Sequence, residues 1–293
     1  MTTVCLLSRQ GIASPLVLDS PHSGVEYPED FKYAVNLSDL RRAEDTHVDT
    51  LFNFGPDLGA SLVAAKFPRS YIDANRSLDE IDPELLETPW PKSYVASEKA
   101  KLGKGLVWRL LDDGQSIYQC KLSVVEIEGR INGYWRPYHA MVRGALDDAY
   151  SHHGFVMHIN CHSMPSVSDV YTTERPGLVH PDIVLGDRDG TSADPAITAF
   201  LQDAFLSRGY SCWVNDPYKG VELVRAYSSP LNDRHSIQLE INRRLYMDEN
   251  SLELHEGFDK LRADLQRILG ELLVYCQPRW ARKPAALASA LVN

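Results

Sequence analysis

Apolar and polar positions recur with two different periods along the 293-residue chain, and the change of period marks out its elements. The apolar runs at 16–18 (Leu16-Val17-Leu18), 61–65 and 183–186 read as buried strands, and 70–73 reads as a further short one. Residues 155–159, within Gly154-Phe155-Val156-Met157-His158-Ile159, form the candidate central strand. In Ser236-Ile237-Gln238-Leu239-Glu240-Ile241 the apolar residues fall on every second position, the period of a strand with two unlike faces. Helical spacing marks 51–58, ended near Gly59, and 133–150, where Tyr134, Tyr138, Met141, Val142 and Ala145 share one face. It recurs at 193–208, opened by Asp194 as N-cap and Pro195 at the first helical position, and at 252–273. This alternation predicts an α/β fold in three layers, α/β/α, around a mixed, mostly parallel sheet.

No linker-like composition interrupts the pattern, so 1–293 reads as a single domain. Residues from about 79 to 115 are rich in Pro, Gly and charge and read as an irregular, lid-like excursion. The Ala/Pro-rich tail after about 278 reads as loosely held.

Composition then excludes several classes. A net charge of −10 and a pI near 5.5 leave no basic face for nucleic acid. No apolar run reaches membrane-spanning length, and the N-terminus lacks signal-peptide order, so a cytoplasmic protein with no membrane partner is expected. The cysteines (Cys5, Cys120, Cys161, Cys212, Cys276) are scattered without a CxxC, which fits neither a disulfide framework nor a thiolate zinc site. There is no glycine fingerprint for phosphates, and the acids of Asp187-Arg188-Asp189 argue against an anion before the helix at 193. The sequence carries no signal of oligomeric state.

The candidate chemistry lies at the strand ends. Asn160-Cys161-His162-Ser163 follows the central strand, where open α/β sheets build their sites. Asp19-Ser20-Pro21-His22-Ser23-Gly24 repeats the pattern after Leu18, so His22 and His162 are paired as candidate ligands of one metal. Catalytic zinc takes three protein ligands, often two histidines and a carboxylate. Asp45, in Glu44-Asp45-Thr46-His47-Val48-Asp49, is the preferred third ligand, and spacing leaves Glu44, His47 and Asp49 open.

Glu240 has the opposite parity to Ile237, Leu239 and Ile241 and is the candidate general base for a metal-activated water. Asn75 and Arg76 suit a carboxylate, Arg76 through its planar fork, and Arg225 is a weaker second anion contact. His152 and His153 read as solvated, and His180, His235 and His255 as structural. Two rivals are weighed. A thiol hydrolase on Cys161 is disfavoured because neighbouring strand residues point to opposite faces. A non-catalytic binding protein for an acidic metabolite leaves Glu240 without a purpose.

Taken in order, Pro21-His22-Ser23-Gly24, Asp45-Thr46-His47-Val48-Asp49, Ile72-Asp73-Ala74-Asn75-Arg76, Trp135-Arg136-Pro137-Tyr138-His139, Cys161-His162-Ser163, Gly186-Asp187-Arg188-Asp189-Gly190 and Gln238-Leu239-Glu240-Ile241-Asn242-Arg243 resemble the N-formylglutamate amidohydrolase family. The likeness runs from His22 to Glu249. It implies a hydrolase fold of the phosphorylase/hydrolase kind, related to zinc carboxypeptidases and aspartoacylase. It further implies one Zn2+ (or another divalent metal) on His22, Asp45 and His162, with Glu240 as general base and Asn75 and Arg76 on the substrate α-carboxylate. Arg76, or Arg136, would stand beside the oxyanion.

The implied substrate is a small N-acyl amino acid such as N-formyl-L-glutamate. An amidase acting on a peptide or cell-wall fragment is the alternative within the same chemistry. One departure stands out: family members carry a Gly-Gly pair and an aromatic after Pro-Tyr-Lys, where this chain has Gly220-Val221-Glu222. Val221 would add a side chain near the substrate, and Glu222 a negative charge.

Overall fold

The computed structural model describes residues 3–11, 14–169 and 176–280. Seven strands form one sheet: β1 (Cys5–Ser8), β2 (Leu16–Ser20), β3 (Ser61–Ala65), β4 (Val156–Met164), β5 (Ile183–Gly186), β6 (Cys212–Val214) and β7 (Arg234–Asn242). Their order is β1-β3-β2-β4-β7-β5-β6. The central strands β3, β2, β4 and β7 are parallel, while β1 runs against β3 and β5 against β7.

Eight α-helices among the described residues accompany the sheet. These are α1 (Leu37–Arg41), α2 (Val48–Leu51), α3 (Glu98–Lys101), α4 (Val124–Arg130), α5 (Arg136–His153), α6 (Pro195–Leu206), α7 (Glu222–Tyr227) and α8 (Gly257–Trp280). Apolar side chains of α2, α6 and α8 pack on one face of the sheet against Leu16, Leu18, Ile159 and Ile237. On the other face, α5, Leu223 of α7 and the excursion around Trp90–Trp108 pack against Val17, Val63 and Val156. The result is the expected α/β/α sandwich with a mixed, mostly parallel sheet.

Local chemistry explains several boundaries. Asp194 caps α6, its Oδ1 accepting from Ala196 N–H at 2.8 Å, with Pro195 at the first helical position. Gly154 ends α5 in the left-handed conformation (φ 61°) that favours glycine.

Other boundaries differ from the sequence expectation. No strand forms at 70–73: Tyr71 N–H turns back to Pro68 O (3.1 Å) and Asp73 N–H bonds Leu106 O (2.7 Å), so the segment is a turn tied to the excursion. The helix at 51–58 splits into α2 and a 3-10 turn at Gly55–Leu58, because Pro56 has no N–H to continue the ladder. Gly55 packs closely at that break, where a Cβ would meet Leu18 Cδ1 at 2.9 Å and push that side chain aside. The long C-terminal helix begins at Gly257 rather than 252, because Leu252 has φ 60°. It runs through Pro278 to Trp280, and the tail beyond lies outside the described residues. Strands β1 and β6 had no distinct sequence signal, being edge strands of four and three residues.

The centre of the sheet positions the chemistry. β4 and β7 pair in register over nine residues, with His158 opposite Ser236, Asn160 opposite Gln238, and His162 opposite Glu240. Ile159, Cys161, Ile237, Leu239 and Ile241 alternate with these onto the apolar face. One face of the sheet therefore carries a buried polar band. No helix among the described residues is long and apolar enough to cross a membrane.

Candidate active site

His22, Asp45 and His162 reach one point from three separate segments. His22 follows the carboxyl end of β2, in a turn so tight that a Cβ on Gly24 would lie 2.3 Å from Phe67 O. Asp45 precedes α2 and is tied to the first segment by its own N–H donating to His22 O (3.0 Å). His162 lies inside β4, which runs two residues further to Met164, rather than beyond its end. One ligand atom from each residue falls within 4.8 Å of the others, and all three residues are buried. Glu44, His47 and Asp49 are drawn elsewhere or lie outside this group: Glu44 accepts from Tyr27 (2.6 Å) and His47 bonds Leu252 O (2.9 Å).

The histidine contacts fit a metal. His22 Nε2 lies 2.7 Å from Asp73 Oδ1, and His162 Nε2 lies 2.8 Å from Asn160 Oδ1. Assigning the His22 ring proton to Nε2 leaves its Nδ1 facing Asp45 Oδ2 at 3.3 Å; His162 Nδ1 lies 2.9 Å from the same oxygen, and its Nε2 stands between Asn160 Oδ1 and Asn75 Nδ2 (3.0 Å). His22 Nδ1 is buried without any hydrogen-bond partner. Two imidazole nitrogens and one carboxylate oxygen form the donor set of catalytic zinc sites.

Asp45 and Asp73 are held as anions. Burial by itself would raise the Asp45 carboxyl, but the neighbouring His162 and His22 imidazoles and the charge of Arg69 hold it well below the carboxylate range. Asp73, also fully buried, is held well below by His22, Arg76 and Arg69 against the same burial cost. Arg243 completes the frame, donating to Glu44 O (2.7 Å), Ser163 Oγ (3.1 Å) and Asp45 Oδ1 (3.3 Å).

Glu240 stands beside His162 across the β4–β7 pair and accepts from Gln238 Nε2 at 2.8 Å. Burial, only partly offset by His162 and reinforced by Asp45, pushes its carboxyl up to about 7. A carboxyl of that acidity takes and returns a proton near neutral pH.

Asn75 and Arg76 sit on the same pocket wall. Asn75 Oδ1 accepts from Leu223 N–H (2.9 Å), while Nδ2 approaches Asn160 Oδ1 at 3.3 Å. Arg76 is clamped by two carbonyls, Lys104 O on Nε (3.1 Å) and Asn75 O on Nη1 (3.0 Å). Their turn hangs from α5: Trp135 Nε1 donates to Arg76 O (2.9 Å), and His139 Nε2 lies 2.8 Å from Ala74 O.

Three expectations land elsewhere. The Arg225 side chain is more than half exposed and pairs with Glu222 (2.8 Å), away from the residues that line the pocket. The same pair answers the charge expected of Glu222, which faces Arg225 and not the pocket; Val221 does line it. Arg136 is exposed and bonds Asn132. Cys161 is fully buried on the apolar face and bonded to Ile159 O, its thiol pushed well up by burial.

Sequence reasoning missed Arg69, Lys104, Trp108 and Arg243 as parts of the site. Arg69 donates to Asp73 (3.2 Å) and Asp45 (3.4 Å), stacks 4.9 Å from the Trp108 ring and lines the pocket. Arg243 stood within the quoted Gln238–Arg243 motif, and Arg69 four residues before Asp73, but nothing local distinguishes them from surface arginines. The pocket has a volume of about 140 Å³.

The family model for N-formylglutamate amidohydrolase matches residues 14–247. The chain belongs to the N-formylglutamate amidohydrolase family. It is 30% identical over 241 residues to an N-formylglutamate deformylase of Pseudomonas putida, covering 80% of this chain and 82% of that protein. A second N-formylglutamate deformylase, from Pseudomonas aeruginosa, is 28% identical over 275 residues, with 91% and 96% covered. The crystal structure of an N-formylglutamate amidohydrolase from Ralstonia eutropha JMP134 superposes with a TM-score of 0.89 at 44% identity, covering 94% of this chain and 99% of that one. A protein of Agrobacterium tumefaciens shares the fold at 14% identity and a TM-score of 0.69, covering 94% of this chain and 97% of its own. The family assignment thus agrees with the motifs from His22 to Arg243 and with the sheet that gathers them.

Proposed function

We propose that the chain is a metal-dependent amidohydrolase that removes the formyl, or another small acyl, group from an acidic amino acid, with N-formyl-L-glutamate as the expected substrate. The observation that carries this reading is the buried convergence of His22, Asp45 and His162 beside Glu240. Family membership and the deformylase relatives support an amide hydrolase.

Zinc held on those three side chains supplies Lewis acidity and brings the pKa of a water to roughly 7. The rest is the work of the chain. Glu240 takes the proton of the attacking water and carries it to the leaving amine. Arg69, partly buried on the pocket wall, offers its guanidinium to the oxygen on which charge develops. Arg76, with Asn75 behind it, takes the α-carboxylate through its fork. Asp73 and Asn160 keep both imidazoles oriented. The pocket's 140 Å³ is small beside the roughly 300–1,000 Å³ of sites that enclose larger ligands, which favours one amino acid over a peptide or cell-wall fragment.

The test is metal analysis joined to a hydrolysis screen over N-formyl, N-acetyl and N-succinyl amino acids. One zinc per chain in the wild type and its loss in His162→Ala, together with loss of hydrolysis, is the expected result. Full zinc occupancy and wild-type turnover in that variant would remove the metal assignment.

A further inference from the structure

Lys104 is a buried cation on the pocket wall, only 4% exposed, in the excursion that covers the site. Lysines are rarely buried so fully unless paired. Its Nζ meets Asp112 Oδ1. The two partners are unlike: Asp112 projects from a surface turn, with 36% of its side chain exposed, while Lys104 is held from below. Lys104 N–H donates to Lys99 O (2.8 Å), and Lys104 O accepts from Arg76 Nε (3.1 Å). The Trp108 ring lies against its ammonium at 5.7 Å and against Arg69 at 4.9 Å. Lys104 is therefore fixed next to the proposed α-carboxylate anchor.

The other cations that line the pocket are Arg69, Arg76, Arg243 and the less buried Lys99. Arg69 and Arg243 neutralise Asp45 and Asp73, and Arg76 faces the α-carboxylate. A glutamate-type substrate brings a second carboxylate, and a buried charge without a partner is costly. An ammonium is a compact charge with three rotatable donors, so it can exchange one carboxylate for another. We propose that Lys104 selects the second carboxylate of a dicarboxylic N-acyl amino acid, and that Asp112 occupies that carboxylate's place until substrate displaces it. This inference rests on the amidohydrolase reading above. Arg225, the second anion contact expected from sequence, is replaced in this role by Lys104.

The experiment compares N-formyl-L-glutamate with its neutral isostere N-formyl-L-glutamine on the metal-loaded enzyme, in wild type, Lys104→Met and Asp112→Asn. The expected wild-type preference for the glutamate substrate is about 10- to 100-fold in kcat/KM, the range of one charged hydrogen bond. Lys104→Met should collapse that preference about tenfold or more, with the loss carried by KM for the glutamate substrate. Asp112→Asn removes the carboxylate that meets Lys104 Nζ, while Asp169 stays on the same pocket wall, and should lower KM for N-formylglutamate several-fold more than for the glutamine analogue. If Lys104→Met does not fold, Asp112→Asn decides alone.

A preserved preference in Lys104→Met, a parallel loss on both substrates, or an Asp112→Asn effect absent or equal on both would overturn the proposal. So would a wild type that hydrolyses both substrates equally, leaving the amidohydrolase reading standing. A wild type that hydrolyses neither overturns that reading and this one together.

Discussion

Asp73→Asn tests the buried frame behind the site. Four donors converge on this carboxylate: His22 Nε2–H (2.7 Å) and Asn75 N–H (2.9 Å) on Oδ1, and Arg69 Nη2–H (3.2 Å) and Trp108 Nε1–H (3.2 Å) on Oδ2. An amide has one acceptor oxygen and one NH2 group, so in either orientation two of the four donors face another donor. Leaving a buried polar group unpaired costs about 1–3 kcal/mol, and more for a charged one. Two such groups give a destabilisation of about 2–6 kcal/mol, which for a chain of this size lowers Tm by about 3–10 °C. The carboxylate also raises the basicity of His22, and losing such a partner weakens metal affinity about 10- to 100-fold. Thermal denaturation of the metal-free protein reads the first effect, and competitive titration against a zinc indicator reads the second. A variant that melts within about 1 °C of wild type and binds zinc within about twofold of it would refute the argument that Asp73 organises this site.

Three further outcomes follow from the same geometry. Burial lowers His139 from 6.5 to about 4, partly offset by its bond to Ala74 O, so the unfolded chain binds the extra proton between those values. This stability is present above pH 6.5 and is lost as pH falls to 4, about 3 kcal/mol in all. Glu240, raised to about 7, acts in the opposite sense over an overlapping window, so the quantity to measure is the difference between wild type and His139→Gln in urea unfolding at pH 7 and pH 4.5. That difference should shrink as pH falls, and a constant one would contradict the assignment. Cys161→Ala should keep more than half the wild-type turnover while losing about 1–2 kcal/mol to the small cavity it leaves; abolished turnover in a folded variant would restore the thiol mechanism. Arg69→Met should lower kcat about 100-fold with a smaller change in KM, and steady-state kinetics showing a KM effect alone would move Arg69 from the reacting oxygen to ground-state binding.

Much of the site was legible because it is written in local patterns. The alternation at Ser236–Ile241 already set Glu240 apart from Ile237, Leu239 and Ile241, and parity separated Cys161 from His162. His22 and His162 stand out because each follows an apolar run and precedes a serine, although His162 proves to lie within β4. Asp45 was chosen from a cluster of four candidates, and the structure brings it, rather than Glu44, His47 or Asp49, to the two histidines. Residues 70–73 read as a strand in sequence and form a turn in the structure: Tyr71 and Ile72 are buried, and burial alone does not distinguish a strand from a packed turn.

By itself, then, the sequence determined which strands have a polar face, which residues stand on it, and which family the chain resembles, since these depend on the order of neighbouring residues. Only the tertiary structure decided which strands lie side by side. His162 and Glu240 are 78 positions apart, and the parallel register of β4 and β7 makes them neighbours through hydrogen bonds that no local pattern encodes. The structure likewise decided the fate of each cation. Arg225 is spent on Glu222 at the surface, while Arg69, Lys104 and Arg243 turn inward. A charged side chain follows the nearest partner that can neutralise it, and that partner is set by packing across the whole chain.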